Sequence, residues 1–190
     1  MRAASGLIPN AICAYIGLGS NLDDPIAQVE RAIAALETLP QSRLSARSCL
    51  YRSPPMGPAD QPDYVNAVVE LETTLAPLAL LEALHGIEQA QGRVRTRHWG
   101  ERVIDLDLLL YADLHLDSDA LQLPHPGLAT RAFVLRPLAE LVPGAQIPGQ
   151  GSLTDLLALC VADVCEPIDS NSPDEPRTSP KSAKTNQSLA

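Results

Sequence analysis

Asp105 and Asp107 stand two residues apart inside the apolar run Ile104-Asp-Leu-Asp-Leu-Leu-Leu-Tyr111. In a β-strand, residues at i and i+2 project from the same face. The two carboxylates then lie side by side, with Ile104, Leu106, Leu108 and Leu110 facing the other way. Like charges at that range are unfavourable unless something cationic sits between them. The segment just upstream is rich in cations. Arg93, Arg95, Arg97 and Arg102 are four of only 14 lysines and arginines in the chain. A divalent metal and a guanidinium cluster together suit a polyanion held for phosphoryl-group transfer. Arginine's planar fork can bind two phosphate oxygens at once. A single charge pair at about 4 Å is worth roughly 4 kcal/mol at an effective dielectric of about 20. Only the part of that energy that grows in the transition state accelerates a reaction.

Bulk properties narrow the ligand. The chain carries a net charge of −9 with a pI of about 4.8, which argues against a general nucleic-acid binder. Local positive charge on an acidic protein points to a small anionic ligand. The two lysines, Lys181 and Lys184, lie near the C-terminus. With 190 residues and 45% hydrophobic content, one domain with a real core is expected. No apolar run approaches the length of a membrane span, and residues 1–10 lack the pattern of a signal peptide, so a cytoplasmic protein is expected. The four cysteines are scattered and match no common zinc spacing. Cys13 and Cys49 lie in strand-like apolar runs and are expected to be buried free thiols.

The elements that must position the charged residues follow from periodicity. Residues 11–18 read as a strand ending in Gly17-Leu-Gly-Ser-Asn21. That glycine-rich turn is neither a phosphate loop nor a dinucleotide fingerprint, because the Lys-Ser/Thr and the third glycine are missing. Asp24-Pro25 reads as a helix start, with Ile26, Val29, Ile33 and Leu36 as its apolar stripe and Pro40 closing it. Leu44, Ala46, Ser48 and Leu50 alternate as in a half-buried strand. A long proline-rich loop, residues 53–62, follows. Such loops are usually functional or disordered. Val65, Ala67, Val69 and Leu71 mark one face of the next strand, and Pro77 opens a second helix running to about Gln91. The order β-α-β-β-α-β fits an α+β, ferredoxin-like antiparallel sheet with both helices on one face. Loops and ligand then have the open face, with Asp105 and Asp107. Further on, 124–127 reads as a turn, 131–141 as a helix interrupted at Pro137, and 154–160 as a last short helix. The expected division is a domain over 11–166, a short N-terminal extension over 1–10 and a flexible polar tail over 167–190.

Six sequence blocks, in order, carry a family resemblance. They are Tyr15-Ile-Gly-Leu-Gly-Ser-Asn-Leu22, Tyr51-Arg-Ser-Pro-Pro-Met-Gly57, Asp60-Gln-Pro-Asp-Tyr-Val-Asn66, Gly92-Arg93, Arg102-Val-Ile-Asp-Leu-Asp107 and Pro124-His-Pro126. The chain resembles the 6-hydroxymethyl-7,8-dihydropterin pyrophosphokinase family over roughly residues 11–148. The resemblance implies transfer of the terminal diphosphate of ATP to the pterin hydroxymethyl group, with AMP as the other product. It implies ATP as co-substrate and two Mg²⁺ ions on Asp105 and Asp107, with Asp107 also placed to orient the attacking hydroxyl. Arg93 and Arg102 resemble the family's phosphate-binding arginines and join Asp107 as the catalytic set. Glu88, Arg95, Trp99, Leu108, His125 and Arg131 are implied nucleotide contacts. The implied pterin site comprises Ser53, Pro54, Pro55, Met56, Tyr64, Asn66, Trp99 and Phe133. The chain departs from the pattern at His85, where glutamine is expected, at Ala120, and in a loop around Arg97-His-Trp99 that is one residue shorter. The implied partners are small molecules only, with no nucleic acid, no membrane and a monomeric enzyme. Two loops, one around Met56 and one over 95–101, are expected to close over both substrates and exclude water.

Three other readings share part of this signal. A palm-like nucleotidyl transferase has the same element order and paired strand aspartates, but lacks the proline wall at 53–57 and the Tyr64/Asn66 pair. An RNA-recognition module should carry several aromatics on a basic sheet, and here the aspartates occupy that face. A nucleotide-binding module without catalysis would not need both aspartates together with Arg93 and Arg102.

Overall fold

Strand alternation and two amphipathic helices build the first core. β1 (Ile12–Ser20) buries Ala14, Ile16 and Leu18 on one face. α1 (Pro25–Glu37) starts where the Asp24 carboxylate accepts the Ala27 N–H at 3.3 Å, with Pro25 in the first turn. It buries Val29, Ala32, Ile33 and Leu36 against the sheet. β2 (Ser42–Arg47) and β3 (Tyr51–Ser53) follow, then β4 (Tyr64–Thr73) and α2 (Pro77–Ala90). β5 (Asp105–Tyr111) completes the central sheet. The computed structural model describes residues 8–58, 60–93, 101–160 and 163–168.

The fold is α+β, with an antiparallel sheet and four helices. β1 lies between β4 and β5, while β2 and β3 both pair with the far edge of β4. The alternation over 44–50 therefore belongs to a strand that breaks rather than to one continuous element. Ser48 spans the break: its backbone N–H donates to Val68 O and its hydroxyl accepts the Val68 N–H, both at 3.0 Å. Cys49, next to it, points outward and is exposed, and Cys13 is half-buried. The expectation of two buried thiols is thus corrected; Cys160 and Cys165 are the buried ones, and burial pushes the Cys165 thiol up to about 11.

After β5 the chain forms two small hairpins, β6 (Leu116–Asp117) with β7 (Gln122–Leu123) and β8 (Gln146–Ile147) with β9 (Gly151–Ser152). α3 (Ala132–Leu141) lies between the hairpins and runs through Pro137; α4 (Leu153–Leu159) follows β9. A short edge strand, β10 (Glu166–Pro167), pairs with β3. α3 and α4 build a second core on the other side of the sheet, around Val68, Leu109, Leu135, Leu138 and Leu153. The Glu140 carboxylate fastens α3 to the sheet edge by accepting from the Cys49 N–H at 2.8 Å and from the Tyr51 hydroxyl. The face expected to be left to loops and ligand is therefore covered over much of its area.

β5 also departs from strict alternation. Leu106 and Leu108 join the α1/α2 core as expected, but Leu110 packs in the α3/α4 core with Leu109. The register with β1 shifts between Tyr15 and Ile16, so Leu109 is the extra residue of a bulge. Beyond it the faces exchange. Among the described residues, no helix is long and apolar enough to cross a membrane.

Candidate active site

Two glycines set the floor of a cavity on the α3 side of the sheet. Gly17 pairs with Val68 and Asp107, and Gly19 with Asn66 and Asp105. Residues directly opposed in an antiparallel sheet share a face. Gly17 and Gly19 therefore lie flat between the carboxylates of β5 and the amide of β4. A Cβ at Gly17 would come within 3.3 Å of Leu109, and one at Gly19 within 3.4 Å of Asn66 Oδ1. With no side chain at either position, the Gly-Leu-Gly sequence leaves this floor flat. The cavity above it has a volume of about 300 Å³.

Its two walls differ in chemistry. On the β3–β4 side, Ser53, Pro54, Met56, Tyr64 and Asn66 line it, with Phe133 arriving from α3. The buried Asn66 amide donates to Ser53 Oγ at 3.0 Å, which fixes its orientation and turns the remaining carbonyl oxygen toward Gly19. On the β5 side, Arg102, Asp105, Asp107, His125 and Arg131 line it. The turn carrying His125 is tied to the β5 bulge by its N–H donating to Leu109 O at 2.9 Å. Arg131 lies against Gly127, where a Cβ would approach the guanidinium to 2.4 Å.

The two carboxylates are not equivalent. Asp105 is paired with Arg93, through Nη2 to Oδ1 at 2.7 Å, and with Arg102. Asp107 has His125 Nε2 at 3.9 Å, beyond hydrogen-bond reach. His125 Nδ1 accepts the Gly127 N–H at 3.0 Å, so a neutral ring carries its proton on Nε2 and turns it toward Asp107. Burial holds the imidazole below its ordinary value, with Arg131 adding to that and Asp107 opposing it. Asp107 is raised by desolvation and by the charge of Asp105. Its side chain is 37% exposed where it lines the cavity, and the protein packed around the rest of it penalises its charge. This carboxylate is short of positive charge, and a cation would correct that. Among the described residues no group of three or more His, Cys, Asp or Glu side chains could hold a metal. Two carboxylates suffice for Mg²⁺, which completes its shell with water and phosphate oxygens.

Several expected contacts sit elsewhere. Glu88 falls on the buried stripe of α2 at Leu80, Leu84 and Glu88, and its carboxylate accepts the Leu106 N–H at 2.7 Å and pairs with Arg93. The structure thus corrects its placement from the cavity to the interior. The spacing of four from two leucines was the signal for burial. Leu108 packs in the α1/α2 core, so its side chain does not face the cavity either. Arg93 lies behind Asp105, not on the wall; burial works against its charge, but Asp105 and Glu88 outweigh this and raise its pKa. Pro55 is half-buried beside the lining residues Pro54 and Met56. Arg95, Arg97 and Trp99, and most of the loop expected to close at 95–101, lie outside the described residues. Unforeseen at the site are Gln61, which lines the cavity, and Asn21, buried beside it.

A sequence model of the 7,8-dihydro-6-hydroxymethylpterin-pyrophosphokinase family matches residues 15–143. A 2-amino-4-hydroxy-6-hydroxymethyldihydropteridine pyrophosphokinase of Pseudomonas aeruginosa is 52% identical over 146 residues, covering 77% of this chain and 90% of the relative. The enzyme of the same name from Haemophilus influenzae is 47% identical over 146 residues, covering 77% and 91%. Among solved structures, a Plasmodium falciparum HPPK-DHPS with STZ-DHP aligns at a TM-score of 0.61 and 15% identity, over 80% of this chain and 42% of that one. At that identity the likeness is one of fold. This chain spans less than half the length of that protein.

Proposed function

The chain belongs to the 7,8-dihydro-6-hydroxymethylpterin-pyrophosphokinase family, and from that premise we propose how its cavity carries out the reaction. The enzyme is an ATP-dependent diphosphotransferase of folate biosynthesis, acting on the hydroxymethyl group of the pterin. The pterin hydroxyl oxygen attacks the β-phosphorus of ATP, the bond from that phosphorus to the α-phosphate oxygen breaks, and AMP leaves. The hydroxyl proton is lost as the new P–O bond forms.

The observation that carries the reading is a single cavity whose walls differ across the β1 glycines. The β3–β4 wall suits a flat, hydrogen-bonding heterocycle: Asn66 offers an amide to its edge, Tyr64 and Phe133 offer ring surface, and Ser53, Pro54, Pro55 and Met56 close the side. The β5 wall suits a triphosphate. Arg102 and Arg131 bind its oxygens, and His125 donates from Nε2. Asp105 and Asp107 would hold two Mg²⁺ ions, which when bound supply neutralising charge along the phosphates. Asp107 orients the attacking hydroxyl. Glu88 and Arg93 act behind the wall by fixing Asp105 and the Leu106 backbone, and Leu108 leaves only its backbone for a nucleotide contact. Arg95 and Trp99 are proposed to contact ATP, with Trp99 also covering the pterin. The sheet order supports a ferredoxin-like assignment, with the site on the face away from α1 and α2. We assign residues 11–168 to one catalytic domain, active as a monomer in the cytoplasm; the tail expected from 167 starts later, because Pro167 pairs with Tyr51 and the Ile168 N–H donates to Leu50 O at 2.8 Å.

Products of a reaction with ATP, Mg²⁺ and 6-hydroxymethyl-7,8-dihydropterin, followed by ³¹P NMR, test this directly. AMP and a pterin diphosphate are expected, and chelation of Mg²⁺ should stop their formation. Formation of ADP and a monophosphate would reject the site of attack. Turnover that persisted in chelator would reject the metal assignment.

A further inference from the structure

Asn21 is 2% exposed and follows directly on β1, between the two walls of the cavity. Every hydrogen-bonding group of its side chain is engaged. Its Oδ1 accepts the Arg102 N–H at 2.8 Å. Its Nδ2 donates to Pro62 O at 3.2 Å and to Gln61 Oε1 at 3.4 Å. The orientation is not ambiguous, because a backbone N–H can only donate and a carbonyl can only accept. The Asn21 backbone N–H also donates to Arg102 O at 3.1 Å, and the neighbouring Ser20 hydroxyl donates to Val103 O at 2.6 Å. One amide therefore joins two segments that are far apart in sequence. One ends in Arg102, whose guanidinium is paired with Asp105 on the phosphate wall. The other, Gln61-Pro62, leads within two residues into Tyr64 on the pterin wall.

We propose that Asn21 is a positioning residue that couples the nucleotide side of the cavity to the pterin side. The proposal rests on the assignment of the two walls given above. A nucleotide that draws Arg102 toward its phosphates moves the backbone N–H that Asn21 holds. The other end of the same planar amide then shifts Gln61 and Pro62. Binding on either side biases the other by the same factor, as linkage requires. Asn21 touches neither reacting group and acts only through its neighbours.

The test is the ratio of pterin dissociation constants without and with a saturating non-hydrolysable ATP analogue in Mg²⁺. For the unaltered protein we expect the analogue to tighten pterin binding by about fivefold or more, within the usual range of such couplings. In Asn21→Asp the acceptor for Arg102 survives while both donors to residues 61–62 are lost. Its ratio should fall to within about twofold of one while the analogue alone still binds. Gln61→Leu breaks one strand of the same link from the other end and should lower the ratio less. It serves as the second variant if Asn21→Asp unfolds, which thermal unfolding will show. An unchanged ratio in both variants would overturn the proposal. So would affinities for both ligands that fall in parallel, since that is the signature of a merely structural clamp. An unaltered protein that binds both ligands with a ratio of one overturns the coupling alone, whereas one that binds neither overturns the wall assignment with it.

Discussion

The same strands present a dry face to α1 and α2 and a polar one to the cavity. On the helix side, Ile16, Val65, Val69, Leu84 and Leu106 meet with essentially no exposed surface. On the other side, β1 contributes bare glycines, β4 an asparagine and β5 two carboxylates. Burial of each large side chain on the first face is worth about 1.5–3 kcal/mol. The second face gains stability only where α3 and α4 seal it, and leaves the remainder short of positive charge at Asp107. Stability and chemistry are thereby separated across the thickness of one sheet, and the bulge at Leu109 marks where the polar region gives way to the second core.

If that separation is real, the two faces can be damaged independently. The largest effect is expected for Asp107→Ala. Loss of a group that manages charge in the transition state costs on the order of 10²–10³ in kcat, and relief of a raised carboxylate should leave thermal unfolding essentially unchanged. Parallel kinetics and melting curves check this; full activity would remove Asp107 from the chemistry. On the dry face, Leu84→Ala should lower unfolding free energy by about 2–5 kcal/mol in urea titration, while kcat per folded molecule is kept. Arg102→Lys sharpens the comparison within the polar face. It keeps the charge but loses the planar guanidinium whose Nη1 donates to Asp105 Oδ2, and should cost about 1.5–3 kcal/mol in kcat/KM. The smallest effect is expected at the surface pair of Glu30 and Arg47, remote from both faces of interest. The Arg47 guanidinium holds the Glu30 carboxyl below its ordinary value. Its contribution is therefore present above the ordinary carboxylate pKa and lost as pH falls through the folded value. Because both side chains are more than a third exposed, Glu30→Gln should cost at most about 0.5 kcal/mol at neutral pH and nothing once Glu30 is protonated.

Much of the dry face was legible in the sequence. β4 shows its dry face at Val65, Ala67, Val69 and Leu71, α1 carries a cap and a stripe, and both elements appear as read. The placement of Asp105 and Asp107 on one strand face followed from spacing alone. What escaped the reading depends on contacts distant in sequence. The bulge in β5 arises from its register with β1, so nothing in Leu108-Leu-Leu110 distinguishes it from a continuous strand. Closure of the second face rests on Glu140 meeting Tyr51 and Cys49, about 90 positions away, and a glutamate on a helix does not announce its partner. Glu88 is named through the family resemblance as a nucleotide contact, whereas its four-residue spacing from Leu84 places it on the buried stripe of α2. Asn21 lies within a family block, but its bonding role does not show in sequence, because a buried, fully bonded amide carries no periodic signal.

Hydrogen exchange with both ligands bound, against the free protein, tests the separation of faces most directly. A non-hydrolysable ATP analogue, Mg²⁺ and the pterin should slow exchange in segments 15–22, 52–66, 101–109 and 123–134. Amides over 26–37 and 77–87, on the helix side, should be unchanged. Protection that appeared in α1 and α2 while the cavity segments exchanged as before would contradict the account.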